Sequence, residues 1–313
     1  MVGLLCDLAD LSSETPLKVL DPACGSGALL LGVDARVAPT SVLCGLELDA
    51  QPLELARANL SHRAGSLELL EGDALDLAGW ASSRFDRVLS NPPYVAWHRI
   101  DPTIRARLEA APYLGCPLSG RPHHRDQQPD LALFFVLLGL HALRPGGRLV
   151  FLLPPEWLTA ERAVPLRSRL ATDTTLRHVV LFGPEVRLFP GSGPGGDAIQ
   201  TGSMVLVADR IPPEPDHCVR VIRVNGLREA AGARLEPDLA ESEGSRVAAL
   251  RAWLRAPLHG PPAGISVEEV VQSELVGVRW QLRSKAAVGA RVTPLGELPG
   301  VRVVGGHQPR VSW

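Results

Sequence analysis

From Leu17 onward, short apolar runs rich in Val and Leu alternate with longer stretches of helical spacing, and this alternation leaves few folds open to the chain. Strands joined through helices run parallel, and a parallel sheet needs helices on both faces, so the pattern predicts an α/β, Rossmann-like architecture. LKVLD (17–21) reads as the first strand and runs through Pro22-Ala23-Cys24-Gly25-Ser26-Gly27 into a helix over 28–33. SVLCGLELD (41–49) is the second strand, followed by a helix over 52–60 with Pro52 in its first turn. LELLEGDAL (67–75) is the third, and FDRVLSNPPY (85–94) the fourth, closed by two prolines that cannot continue a ladder. Residues 95–129 show no clean period and read as an exposed excursion of the kind that lies beside an active site. Asp130 is expected to cap an apolar helix to Leu143, Arg144-Pro145-Gly146-Gly147 to turn the chain, and RLVFLLP (148–154) to be the fifth strand. LRHVVLFG (176–183) resumes β character, 191–202 is a glycine-rich turn region, and SMVLVA (203–208) with CVRVIRV (218–224) reads as a hairpin pair. The character changes beyond Asn225, which divides the chain into a main body over 1–225 and a further segment over 226–313.

A chain of 313 residues with 45% hydrophobic and 21% charged residues buries a full core, which excludes collagen-like and disordered classes. Lys plus Arg number 32 against 34 Asp plus Glu, so any polyanion must be held by a local patch rather than by overall charge. Five cysteines without a Cys-x-x-Cys pair argue against a disulfide framework and a structural zinc site. No metal site is expected. Asp7 and Asp10 interrupt the N-terminal apolar run where an export signal would carry basic residues, and Leu131–Leu143 is too short to span a bilayer. The expectation is a soluble, cytoplasmic protein with no membrane association.

Gly25 and Gly27, between a strand and a helix, let a ligand approach the backbone and the free N–H groups of the helix start, although a tight turn alone would also use them. Two acidic residues add weight to the ligand reading. Asp21 ends the first strand, where ligands of open α/β sheets bind, and Glu47 ends the second at the spacing from which a carboxylate accepts from ribose hydroxyls. A phosphate-binding loop would want glycine where Leu30 stands, so a dinucleotide fits less well than S-adenosylmethionine, whose ammonium group suits an acidic loop. Asp73, after the third strand, is placed to accept from the ligand's adenine amino group and Leu48 to pack on its ring, while a turn or capping role is the plainer reading of Asp73.

The most specific feature is Asn91-Pro92-Pro93-Tyr94. Two prolines fix the backbone so that the Asn91 side chain and the Pro92 carbonyl can accept hydrogen bonds together, beside the flat face of Tyr94. Such a site fits a planar NH2 group on a π system, the nucleophile in attack on a methyl sulfonium.

In this order, DPACGSG (21–27), GLELD (45–49), GDAL (72–75), NPPY (91–94), DLALFF (130–135) and LRPGGRLVFLLPPEWL (143–158) resemble the motifs of N6-adenine DNA methyltransferases, over roughly residues 17–208. The resemblance implies a seven-stranded class I S-adenosylmethionine-dependent methyltransferase sheet and a cofactor site at Asp21, Ala23, Cys24, Gly25, Gly27, Glu47, Leu48, Asp73 and Ala74. One of Phe134 and Phe135 would flank the cofactor adenine. It implies catalysis at Asn91, Pro92, Pro93 and Tyr94 on an adenine flipped out of double-stranded DNA, in restriction-modification or phage defence, with a specificity or nuclease subunit as a further partner. Two departures stand out. Thr15-Pro16 is too close to Leu17 to match the family's Thr-Pro, and 279–313 resembles the opening of a target-recognition domain that then stops, as in a truncated chain. Residues 264–313 carry six Lys and Arg against four Glu, and the excursion after NPPY holds Arg99, Arg105, Arg107, Arg121 and Arg125 with His98, His123 and His124, all suited to phosphate contacts or to a solvated surface. A glutamine amide of a release factor is also a planar NH2 on a π system, so NPPY alone admits that substrate. RNA amino methylation and a non-catalytic remnant are the weaker alternatives.

Overall fold

The computed structural model describes residues 1–76, 82, 84–110, 114–116, 130–183, 186, 203–224, 242–256, 260–262, 264–276, 280 and 282, with the backbone alone at 109–110 and 242–246. In chain order these form α1 (Val2–Leu8), β1 (Lys18–Asp21), α2 (Ala28–Asp34), β2 (Val42–Glu47), α3 (Ala50–Asn59), β3 (Leu67–Glu71), β4 (Phe85–Ser90) and α4 (Pro102–Ala110). There follow α5 (Leu131–Ala142), β5 (Leu143–Leu153), α6 (Val164–Asp173), β6 (Thr175–Phe182), β7 (Ser203–Asp209), β8 (Cys218–Val224), α7 (Ser242–Arg255) and β9 (Ile265–Val271).

The described strands make one mixed sheet in the order β3-β2-β1-β4-β5-β7-β6-β8-β9. Strands β1 to β5 are mutually parallel, β7 runs antiparallel between β5 and β6, β8 is parallel to β6, and β9 is antiparallel to β8. One face packs on α4, α5 and α6, through Leu108, Phe134, Leu166 and Leu170, and the other on α1, α2, α3 and α7, through Leu5, Leu30, Leu53 and Leu250. β5 shows why parallel strands read as unbroken apolar runs: Leu149, Phe151 and Leu153 enter one core while Val150 and Leu152 enter the other. No helix among the described residues is long and apolar enough to cross a membrane.

The expected seven strands become nine because β8 and β9 extend the sheet beyond β6. The expected hairpin of 203–208 with 218–224 does not form. Both edges of β7 are already taken by β5 and β6, so β8 pairs with the remaining edge of β6. Arg144-Pro145-Gly146-Gly147 is absorbed into β5 as an irregularity opposite Phe85 and Arg87, with Gly146 at φ +78°, instead of forming a separate turn. Within the stretch read as irregular stands α4, started by Pro102 and by an Asp101 carboxylate that accepts from Thr103 N–H at 2.8 Å. Asp130 holds the N-cap position of α5, but its carboxylate lies 3.3 Å from Arg162 and makes no capping bond. The glycine-rich 191–202, the basic residues 121–125 and the tail 283–313 lie outside the described residues.

Beyond residue 225, β9 continues the sheet, and α7 is tied to α1 by Arg251 and Arg255, at 2.5 and 2.8 Å from the buried Asp7 carboxylate. Trp280 is 2% exposed and packs on Trp157 with ring centroids 5.7 Å apart. Its Nε1 donates to the Leu275 carbonyl and its backbone N–H to that of Leu158. Trp280→Ala would therefore leave a cavity in the main core, and it is expected to cost about 3–5 kcal/mol in chemical denaturation, where a loss below about 1 kcal/mol would show that this segment does not hold the body together.

Candidate active site

Because β1, β2, β3 and β4 are parallel and adjacent, the loops that follow them leave the sheet at one edge. Asp21 is the last residue of β1 and is 2% exposed. Its Oδ1 accepts from Ala23 N–H at 3.1 Å and from the Ser90 hydroxyl at 2.9 Å. Burial pushes the Asp21 carboxyl up to about 7, an effect that these two hydrogen bonds oppose and the charge of Glu47 reinforces.

The turn after Asp21 depends on Gly25 and Gly27, at φ +53° and +79°, a region costly for other residues. Cys24 N–H bonds the Leu46 carbonyl at 2.9 Å, and its Sγ would lie 2.8 Å from a Cβ on Gly45, so the loop seats on β2 only because that position has no side chain. A Cβ on Gly27 would come within 3.1 Å of Ala56, which brings α2 close to α3, whereas one on Gly25 would meet nothing within 4 Å. Gly25 thus borders open space. Glu47 spans the loop and its own turn: Oε2 accepts from Gly25 N–H at 2.9 Å and Oε1 from Asp49 N–H at 3.1 Å. Next to it Leu48 is 66% exposed, an unusual state for leucine and a ready platform for a flat ring. Beyond β3, Asp73 Oδ1 accepts from Leu75 N–H at 2.9 Å, Oδ2 lies 2.7 Å from Arg107 of α4, and Ala74 is buried.

Asn91-Pro92-Pro93-Tyr94 begins one residue after β4, whose last residue is the Ser90 that bonds Asp21. Pro92 is buried, Pro93 partly so, and Asn91 is exposed. The Tyr94 hydroxyl lies 2.8 Å from Asn91 Oδ1 and 2.9 Å from the Leu152 carbonyl, two acceptors for its one proton. Burial and the charge of Asp130 push that hydroxyl's pKa above the usual range, so it stays a donor at neutral pH.

Asp21, Gly25 and Glu47 are thus joined by hydrogen bonds, Asn91 and Tyr94 contact each other, and Ser90 links the two groups. Phe134 and Phe135 are both buried, Phe134 stacked on Trp97 at 5.9 Å. His98 and Arg99 are exposed, and Arg107 is engaged by acids. Sequence reading missed Ser90 and the Leu152 carbonyl, and it set Arg107 among residues suited to phosphate contacts or a solvated surface, whereas the structure pairs it with Asp73 and Asp76. Ser90 adjoins Asn91, and Asp101-Pro102 marked the helix that carries Arg107, but the pairing of β1 with β4 that gives Ser90 its partner has no local signal.

The arrangement fits a nucleoside with an amino acid end. It offers open space over Gly25, a fixed carboxylate at Glu47 for hydroxyls, an exposed leucine for a ring and a buried carboxylate at Asp21 for an ammonium. Asp21 can be tested without any ligand. A buried acid raised to about 7 favours folding fully below its ordinary range near 4 and loses that contribution as pH rises to 7. Relative to Asp21→Asn, the wild type should therefore gain stability by roughly 3 kcal/mol on going from pH 8 to pH 5, about 1.4 kcal/mol for each pH unit below 7. Parallel denaturation curves of the two proteins at both pH values check this, and a pH-independent difference would mean that Asp21 is an ordinary ionised carboxylate.

The N-6 DNA Methylase family matches residues 1–193. The Type II methyltransferase M.AccI of Acinetobacter calcoaceticus is 28% identical over 128 residues, 41% of this chain and 21% of that protein. A release factor glutamine methyltransferase of Deinococcus radiodurans is 33% identical over 168 residues, 51% of this chain and 55% of that protein, so the chain spans about half or less of these relatives. The type IIG restriction endonuclease BpuSI shares the fold, with a TM-score of 0.61 and 22% identity over 92% of this chain and 32% of that one. The fold and the family imply S-adenosylmethionine as cofactor, which the glycine loop and its carboxylates fit. With its glycine loop and NPPY segment at the edge of a class I methyltransferase sheet, the chain belongs to the N-6 DNA methylase family.

Proposed function

We propose that the protein transfers a methyl group from S-adenosylmethionine to the N6 amino group of an adenine flipped out of double-stranded DNA. The observation that carries this reading is the Ser90–Asp21 hydrogen bond, which sets NPPY directly beside the glycine loop. S-adenosylmethionine supplies an electrophilic methyl group on a sulfonium. Asp21 holds its ammonium, Glu47 its ribose hydroxyls and Asp73 its adenine amino group, while Ala23, Cys24, Gly25, Gly27, Leu48 and Ala74 shape the surrounding surface. Asn91 Oδ1 and the Pro92 carbonyl accept the two N6 protons of the target, and Tyr94 stacks on the base. Pro93 keeps that backbone rigid. Flipping costs roughly a few kcal/mol, which stacking on Tyr94 offsets. The remaining work is positioning. The nitrogen becomes acidic once it is alkylated, so its proton leaves without a strong base.

The restriction-modification setting, supported by the Type II methyltransferase relative, belongs to the same proposal, as do the specificity or nuclease partner and the cytoplasmic location. So does the division of the chain, with 1–225 catalytic and 226–313 opening a recognition segment anchored through β9 and Trp280. A glutamine amide is the second reading, favoured by the 33% identity to a release factor methyltransferase. The DPACGSG form of the loop, the 35-residue stretch 95–129 and the tail favour DNA.

Asn91→Ala leaves Tyr94 its Leu152 acceptor, so the loop keeps its anchor. Transfer of labelled methyl to duplex DNA should fall by about 100-fold or more while cofactor affinity, by calorimetry, changes less than about twofold. Full activity in this variant would remove NPPY from the catalytic centre.

A further inference from the structure

Arg107 comes from α4, in the stretch after NPPY, and reaches across to the loop after β3. One of its terminal nitrogens lies 2.7 Å from Asp73 Oδ2 and the other 2.5 Å from Asp76 Oδ1. The opposite oxygen of Asp73 accepts from Leu75 N–H at 2.9 Å, so both oxygens are held and the carboxylate cannot rotate. Each still keeps a lone pair for another donor. Without Arg107, Asp73 and Asp76 would be two like charges on one short turn, with the Leu75 N–H alone left to hold the Asp73 carboxylate. α4 is itself fixed on either side of Arg107: Asp101 caps its start, and Leu108, one residue past Arg107, is buried in the core shared with α5.

On the reading that Asp73 accepts from the cofactor's adenine amino group, we infer that Arg107 is a positioning residue for that contact, aiming the Asp73 carboxylate and tying cofactor recognition to the segment that follows NPPY. The chemistry implies selectivity. A fixed acceptor rewards a purine with a 6-amino group and does nothing for a 6-oxo purine.

The test compares binding of S-adenosylhomocysteine with that of S-inosylhomocysteine, which differs by an oxygen in place of the amino group, in calorimetry without DNA. Arg107→Gln should weaken the adenosyl ligand by about tenfold and the inosyl ligand by less than about twofold, and Arg107→Lys should recover part of the loss. Asp101→Ala removes a bond in the first turn of α4, while the buried Leu108 beside Arg107 still anchors that part of the helix, and should change neither affinity by more than about twofold. In turnover, the Arg107→Gln loss should fall on the KM for S-adenosylmethionine more than on kcat. Equal weakening of both ligands, or the same loss in Asp101→Ala, would mean that Arg107 merely supports α4 and would overturn the inference. Tighter adenosyl binding in Arg107→Gln would also overturn it, by showing that the arginine competes for Asp73. If the wild type distinguishes the two ligands but Arg107→Gln distinguishes them equally well, Asp73 keeps its role and Arg107 has no part in aiming it. A wild type that binds neither ligand would remove the cofactor reading and this inference together.

Discussion

β1 lies between β2 and β4 in a parallel array, and every chemical group of the candidate site depends on that one placement. It carries Asp21 to the sheet edge with Glu47 on one side and Ser90 on the other, so a glycine loop, the Glu47 carboxylate and the NPPY segment converge although they are distant in sequence. The Ser90 hydroxyl then converts neighbourhood into geometry by bonding the carboxylate of the adjacent strand. Flanking strands buried on both faces hold this edge rigid, which suits a reaction that draws its acceleration from positioning.

The electrostatics of the edge point the same way. Asp21 is buried beside the charge of Glu47, an arrangement that raises its pKa and favours a cation close by. A ligand that brings an ammonium meets this need, and the glycine loop leaves the space for it over Gly25. Asp73 differs, because Arg107 already balances it and Asp76, and in the proposed site its work is orientation more than charge. In the proposed function the three acidic positions divide the tasks of charge, hydroxyl recognition and base recognition.

Much of this was legible in the sequence. Continuous apolar strands, the glycine turn and the Pro-Pro stop each follow from local chemistry, and β1 to β5 emerge within a few residues of their expected bounds. Pairing is a different matter. CVRVIRV reads equally well as the partner of β7 or of β6, and only the occupation of both β7 edges decides between them. α4 escaped because its helical face is short, although Asp101-Pro102 announced its start, and with it went the pairing of Arg107 with Asp73 and Asp76. Asp130 looked like a cap and is instead drawn to Arg162, a partner 32 residues away that local spacing cannot reveal. The adenine-flanking phenylalanine remained ambiguous for a related reason: both candidates belong to a helix apolar all round, and both are buried.

The most direct measurement is the identity of the methylated product. Wild-type protein with labelled S-adenosylmethionine would be given duplex DNA of mixed sequence and, separately, a release factor protein, followed by mass spectrometry of the digested nucleosides and peptides. The account predicts N6-methyladenine in the DNA and no methylglutamine in the protein. Methylglutamine with unmodified DNA would contradict it and assign the same NPPY site to a protein amide.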